Sequence, residues 1–189
     1  MTKNSLPSSR SRPLPSRGLQ RMAFALTDYV DVHLRYELKY LLVAATTWKA
    51  VHDPRHRGPH APHLVVLAME SSFVHTRVLY EFLHLEEGWS GRSPHTVNAS
   101  SLWTAYKKPL HEKVLHPSPR RPYEPGAMTG DDLKFFNDKA ATEIFTMWRV
   151  LGGQQAMRPH SATMTMAADA AVADATLTAE WFGIQRVFQ

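Results

Sequence analysis

The sequence predicts an all-α protein, a bundle of about four main helices with one or two short ones. Three observations lead to this prediction. Apolar residues recur at three-, four- and seven-residue spacings in four separate segments, which is the periodicity of helices with one buried face. No segment alternates apolar and polar residues convincingly, as a half-buried strand does. Clusters of proline and glycine separate the periodic segments and mark the connections.

The first predicted helix runs from about residue 19 to residue 51, because Pro54 stops it. Its apolar positions are Leu26, Val30, Leu34, Leu41, Ala44, Trp48 and Val51. The second predicted helix begins near Pro62 and ends near Gly88. Proline suits a first helical turn and glycine suits the position after the last one. The apolar residues expected to face the core from this helix are Leu64, Ala68, Leu79, Phe82 and Leu83.

A short helix is predicted next, with Asn98 or Ser100 as its N-cap. A further long helix follows, capped by Thr129 or Asp131 and ending at about Leu151. Its apolar stripe comprises Leu133, Phe136, Ala140, Ile144, Met147, Trp148 and Leu151.

The last predicted helix spans about residues 161 to 184 and is rich in alanine. Its small residues allow another helix to approach closely. The residues expected to face inward are Met164, Ala168, Ala171, Ala175 and Trp181.

The charge is unevenly distributed along the chain. The first 21 residues hold five of the 22 lysines and arginines and none of the 17 acidic residues, so the rest is close to neutral. Residues 1–18 are also rich in proline and serine, and we predict a disordered basic tail there. Residues 19–189 form one predicted helical domain. Its near neutrality argues against a strongly basic duplex-binding surface.

The composition excludes several classes of protein. The chain has no cysteine, which excludes disulfides and thiolate metal sites and fits a reducing compartment. No apolar run approaches the roughly 20 residues that span a bilayer, and the basic N-terminus lacks an apolar signal core. We therefore expect a cytoplasmic protein that does not enter a membrane. Phosphate-cradling glycine motifs are absent, and no cofactor is expected.

The second predicted helix carries three functional groups at seven-residue steps. Glu70, Arg77 and His84 are two helical turns apart, so they project from one side, with Phe73 and Tyr80 beside that line. This charged face is the first candidate site.

The segment from Arg77 to His84 resembles the R-x(4-6)-H signature of HEPN domains, which are small all-helical bundles. Many members of that superfamily are metal-independent ribonucleases in toxin–antitoxin and other bacterial defence systems, and in these the arginine and histidine of two subunits meet at a dimer interface. The resemblance implies an RNA-directed homodimer. Here Val78 stands where active members usually carry a polar residue after the arginine.

The resemblance also implies catalytic roles. His84 would act as general acid or base, because imidazole exchanges protons near neutral pH. Arg77 would stabilise charge on the phosphoryl group. Glu70 would orient one of these two side chains.

A noncatalytic interpretation of the same face stays open. Arg77 and Glu81 are four residues apart, a spacing at which a surface ion pair forms on a helix. The face would then be solvated, or would bind a protein partner such as an antitoxin in a helical interaction module.

A basic stretch with tyrosines at both ends is the second candidate. It contains Lys107, Lys108, Arg120 and Arg121. Basic side chains interleaved with aromatic rings can track single-stranded RNA. A solvated loop is the alternative.

Four histidines between residues 52 and 63 form the third candidate, a site for zinc or nickel. Three prolines and a glycine lie in the same segment, which does not match the usual spacing of zinc ligands. We predict a polar loop without a metal. The four residues are His52, His56, His60 and His63.

Overall fold

The computed structural model describes residues 26–56, 58–86, 89, 93–96, 99–111 and 130–189, and within them the fold is all-α. Four long helices and one short helix confirm the predicted bundle. The predicted tail, residues 1–18, lies outside the described part of the chain. The helices are α1 Arg35–His52, α2 Ala61–Leu83, α3 Ser101–Pro109, α4 Gly130–Gly152 and α5 Ser161–Phe182.

Short helical segments extend or join these helices. A π-helical segment, Tyr29–Leu34, leads directly into α1 and is itself preceded by the turn Leu26–Asp28. The 3-10 turn Pro54–His56 follows α1, as expected for a helix stopped by proline. A second 3-10 segment, Gln155–His160, joins α4 to α5. The described links between neighbouring long helices are therefore short, which favours antiparallel packing.

Pairs of contacts give the directions of the helices. Glu37 bonds His75, whereas Tyr29, earlier in the chain, lies near Glu81, later in α2. The segment that contains α1 therefore runs antiparallel to α2. Lys39 pairs with Asp174 at 2.9 Å, and the ring of His56 lies 5.6 Å from that of Phe182, so α1 and α5 run parallel.

Helices α2 and α4 lie side by side and run parallel. The rings of Phe73 and Phe136 are 6.0 Å apart, and Tyr80 interacts with Glu143. The second contact lies seven residues after the first in each helix, so the two helices keep the same register along their length. This arrangement needs a crossover connection, and α3 lies within it.

One buried apolar cluster includes residues from all five helices. The predicted stripe of α4 is confirmed at Phe136, Ile144 and Trp148, which are almost fully buried. Trp148 donates its indole N–H to the carbonyl oxygen of Met164 in α5 at 2.9 Å. The alanine-rich face of α5 is buried as predicted, at positions that include Ala168, Ala171 and Ala175. None of the described helices is long and apolar enough to cross a lipid bilayer.

Phe73 and Tyr80 flank the charged line, and both are fully buried. One prediction about a buried face is wrong. Trp181 was expected to face inward, but it is 80% exposed. The buried positions of α5 continue from Ala175 to Ala179, and a residue two positions after Ala179 points about 200° away from that stripe.

The predicted end of α2 near Gly88 is also wrong, because the helix ends at Leu83. The N–H of Leu85 bonds the carbonyl of Phe82, and the N–H of Glu86 bonds that of Glu81. This is a Schellman motif, and its left-handed position is Leu85 with φ 57°. Glycine usually occupies that position, as Gly183 does at the end of α5.

Candidate functional site

A cavity of about 180 Å³ lies where the C-terminal part of α2 faces α3. Its lining brings together residues that the sequence placed in two separate candidate sites, Arg77 from one and Lys107 and Lys108 from the other. We call this space the basic cavity. It is lined by Arg77, Glu81, Trp103, Lys107, Lys108, Leu110 and His111.

Arg77 forms a partly buried ion pair inside this cavity. Its Nε–H donates to Oε1 of Glu81 at 2.6 Å, and the two side chains are 24% and 18% exposed. The i,i+4 pair predicted from the spacing is therefore present. Because the pair lies at the wall of a cavity, it fixes the guanidinium there instead of leaving it in solvent.

The other cations come from the last turn of α3. Lys107 pairs with Glu86, and the indole N–H of Trp103 donates to the same carboxylate at 3.3 Å. Lys108 is exposed and forms no ion pair with another described residue. The lining of the cavity thus carries three cations against the single carboxylate of Glu81.

Glu86 reaches α3 because of the way α2 ends. Leu85 adopts the left-handed conformation, which turns the chain immediately after the helix. The next carboxylate, that of Glu86, then meets Trp103 and Lys107. An unusual backbone conformation therefore attaches α3 to the end of α2.

Tyr80 and Trp103 form the apolar contact between the two helices. Their rings are stacked, with centroids 4.8 Å apart and planes 18° apart. Both residues are buried, so Trp103 is unavailable for stacking on a base. It forms the floor of the basic cavity instead.

His84 connects the same two helices through its ring. The backbone N–H of Ser100 donates to Nε2 at 3.0 Å, and Nδ1 lies 3.1 Å from the carbonyl oxygen of Tyr80, to which it can donate. Ser100 caps α3 as predicted, accepting the N–H of Trp103 at 2.9 Å. Both ring nitrogens of His84 therefore interact with backbone groups. Its catalytic role stays a prediction, and that role requires one of these bonds to break.

Glu70 does not join the other two residues of the predicted charged face. It is exposed two turns before Arg77, and no described residue pairs with it. Arg77 is oriented by Glu81 instead. Glu70, Arg77 and His84 therefore lie on one side of the helix, but they do not form one site. Arg120 and Arg121, predicted to bind RNA, lie outside the described residues.

His111 is the imidazole in the basic cavity, and the sequence analysis missed it. A signal was present, because Trp103, Lys107 and His111 recur at four-residue steps and thus share one side of a helix. The proline at position 109 concealed this periodicity, since proline usually ends a helix.

The histidines of the predicted metal candidate lie in separate environments. His52 bonds the carbonyl of Trp48 at 2.7 Å, and the ring of His56 packs against Phe182. His63 is exposed. Across the described part of the chain, no three histidine or carboxylate side chains come together as ligands for a metal ion.

His95 is almost completely buried in a polar pair with Ser93. Its Nε2–H donates to the carbonyl of Leu83 at 3.2 Å, so the Ser93 hydroxyl donates to Nδ1. Burial lowers the pKa of His95 below its ordinary value, more than its backbone hydrogen bonds raise it. These contacts tie the loop after α2 to the end of that helix.

Comparison with protein-family models, with curated proteins and with solved structures finds no match to this chain.

The lowered pKa of His95 predicts a loss of stability in mild acid. Below about pH 6.5 the unfolded chain binds a proton at this histidine and the folded chain does not. The free energy of unfolding should therefore decrease as the pH is lowered, by at most about 1.4 kcal/mol per pH unit, until the pH reaches the lowered pKa of His95. Urea denaturation between about pH 7 and pH 5 measures this slope.

In that experiment His95→Gln should flatten the slope, because the group that titrates is removed. His63→Gln is the control, since His63 is exposed. A His95→Gln protein with the wild-type slope would show that His95 does not produce the pH dependence.

Proposed function

We propose that the chain is an RNA-directed protein that binds the RNA backbone in the basic cavity. One observation carries the proposal: Arg77 from α2 converges with Lys107 and Lys108 from α3 on a single cavity. Arginine and lysine are the residues that proteins use to hold phosphate. The HEPN resemblance of the segment from Arg77 to His84 supports RNA as the source of that phosphate.

The size and charge of the cavity fit one phosphodiester group. Its volume of about 180 Å³ is below the roughly 300–1,000 Å³ of typical small-molecule pockets. Arg77 pairs with Glu81 and Lys107 pairs with Glu86, so Lys108, which pairs with no described residue, leaves one positive charge in excess. Bases would lie outside the cavity, so we expect little dependence on RNA sequence.

We further propose metal-independent cleavage of RNA at this cavity, in a bacterial defence or toxin–antitoxin setting. His111 lines the cavity with Arg77, whereas His84 is not among the residues that line it. His111 is therefore better placed to exchange a proton with the 2′-hydroxyl or the leaving oxygen. Arg77 would stabilise the charge that develops on the phosphoryl group. The setting rests on the family resemblance alone.

Binding to single-stranded RNA should weaken when Lys108 is removed. For Lys108→Ala we expect a higher Kd and a salt dependence of log Kd that is smaller by about 0.7, the value for one phosphate contact on a single strand. Fluorescence anisotropy with an unstructured labelled oligonucleotide, repeated at several salt concentrations, measures both quantities.

Lys49→Ala is the matched control for this experiment. Lys49 is exposed near the C-terminal end of α1, at the opposite end of α2 from Arg77 because the two helices are antiparallel. Equal effects of the two substitutions would show that the attraction is spread over the surface and would contradict the proposed cavity.

RNA cleavage should proceed in EDTA and should depend on the basic cavity. His111→Ala and Arg77→Ala should each lower the rate about 100-fold or more, as expected for loss of an acid–base group or a charge-stabilising group. His63→Ala should cleave at the wild-type rate. Gel analysis of a labelled RNA under single-turnover conditions measures these rates.

Two results would change this assignment. Full cleavage in His111→Ala would show that His111 is not the group that transfers the proton. Wild-type protein that leaves RNA intact would contradict catalysis, while the RNA-binding test would still decide whether the cavity binds RNA.

A second candidate function is a noncatalytic helical interaction module, a homodimer or a complex with a protein partner. The part of α2 around Glu70 favours it, because Val66, Leu67 and Val74 are 46%, 62% and 48% exposed there. Their spacing places them along one side of the helix. Apolar side chains grouped in this way are typical of a surface that a partner covers.

Leu67→Glu should shift a homodimer toward monomer by at least about tenfold in Kd, because it would bury an unpaired carboxylate at the interface. Analytical ultracentrifugation over a concentration series measures this shift. Leu177→Glu on α5 is the matched control, since Leu177 is also 62% exposed. A wild-type protein that stays monomeric at all concentrations would exclude the homodimer.

A further inference from the structure

A second cavity, of about 500 Å³, lies between the start of α3 and the C-terminal half of α4. Its chemistry is opposite to that of the basic cavity, because Glu143 is the one charged residue among the described residues that line it. We call it the acidic groove. It is lined by Thr96, Ala99, Ser100, Glu143, Thr146, Met147, Val150, Leu151 and Gln154.

Tyr80 lies between the two cavities. Its ring stacks on Trp103, which lines the basic cavity. Its hydroxyl interacts with Ser100 and Glu143, which line the acidic groove. The residue is fully buried, yet this hydroxyl completes no hydrogen bond of ordinary geometry with a described residue. A buried hydroxyl in that state is costly. Tyr80 is not among the residues that line the groove, so its hydroxyl acts on the groove through Ser100 and Glu143.

The hydroxyl keeps its proton at neutral pH. Burial raises the pKa of Tyr80, and the nearby carboxylate of Glu143 raises it further. Tyr80 therefore presents a neutral hydroxyl, which both donates and accepts hydrogen bonds. Glu143 presents a partly buried carboxylate beside it.

Other polar groups of the groove already have partners. Gln154 makes two hydrogen bonds with the backbone of Thr96, at 2.7 and 3.1 Å, which fix the loop at the rim. The hydroxyl of Thr146 donates to the carbonyl of Thr142, and that of Ser100 caps α3. The charged group left to a ligand is thus the carboxylate of Glu143, beside which the hydroxyl of Tyr80 lies on the buried side.

We propose that the acidic groove binds a small organic cation, an amine or amidinium attached to an apolar body. The cation would bond the carboxylate of Glu143, which the hydroxyl of Tyr80 helps to position, and the body would lie on Met147, Val150 and Leu151. A partly buried carboxylate makes its strongest hydrogen bonds with a charged donor. The groove also lies within the usual size range of small-molecule sites. This site is separate from the proposed RNA-binding cavity and does not depend on it.

Benzamidine is a suitable probe, because it joins an amidinium to an aromatic ring. In an NMR titration of the full chain, the methyl signals of Met147, Val150 and Leu151 should shift in a saturable way. Glu143→Gln should weaken binding about tenfold or more, the usual effect of losing a charge-assisted hydrogen bond. Tyr80→Phe keeps the ring and should weaken binding several-fold.

Two controls separate specific binding from general attraction. Benzamide has nearly the same shape without the charge and should bind at least about tenfold more weakly. Glu180→Gln removes an exposed carboxylate of α5 outside the groove and should leave the affinity unchanged.

The proposal is overturned if benzamidine shows no saturable binding, if benzamide binds equally well, or if Glu143→Gln keeps the wild-type affinity. Shifts confined to signals outside the groove would also overturn it. Because Tyr80 is buried, circular dichroism must first show that Tyr80→Phe folds. If that variant does not fold, the affinity of Glu143→Gln alone tests the proposal, since the side chain of Glu143 is only partly buried.

Discussion

The imidazole of His84 connects the end of α2 to the start of α3. One ring nitrogen accepts the N–H of Ser100 and the other bonds the carbonyl of Tyr80. Ser100 in turn caps α3. His84 therefore helps to position α3, together with the contacts of Glu86 and the stack of Trp103 on Tyr80. The two cavities lie on either side of that stack. His84, which resembles a catalytic residue in sequence, therefore has a structural role at the site in this structure.

The two cavities beside Tyr80 differ in charge and share a wall. Arginine and lysine side chains surround one, and a single glutamate gives the other its charge. The hydroxyl of Tyr80 lies at the acidic groove while its ring supports the floor of the basic cavity.

Much of the fold follows from local sequence signals. Apolar spacing located the four long helices, Pro54 ended the first one, and Ser100 capped the short one as predicted. Those signals act within a few residues, so one sequence is enough to read them. The end of α2 escaped prediction because Leu85 occupies a position that normally requires glycine. Trp181 was misplaced because its size was given more weight than its position off the buried stripe.

The site was less predictable, because it depends on contacts between residues far apart in sequence. Spacing placed Glu70, Arg77 and His84 on one side of a helix. It could not show that Arg77 would form an ion pair with Glu81, or that His84 would form hydrogen bonds with backbone groups. The approach of Lys107 to Glu86 spans 21 residues and requires the turn at Leu85. Tertiary packing thus decided which of the predicted residues meet.

The central claim is that the junction of α2 and α3 forms an RNA-binding cavity, and hydrogen–deuterium exchange tests it most directly. Exchange would be compared for the chain alone and with a saturating unstructured single-stranded RNA. The account predicts slower exchange in residues 101–111 and in the last turns of α2, with the first turns of α2 and all of α5 unchanged. Protection confined to α5 or to the first half of α2, or no protection anywhere, would contradict it.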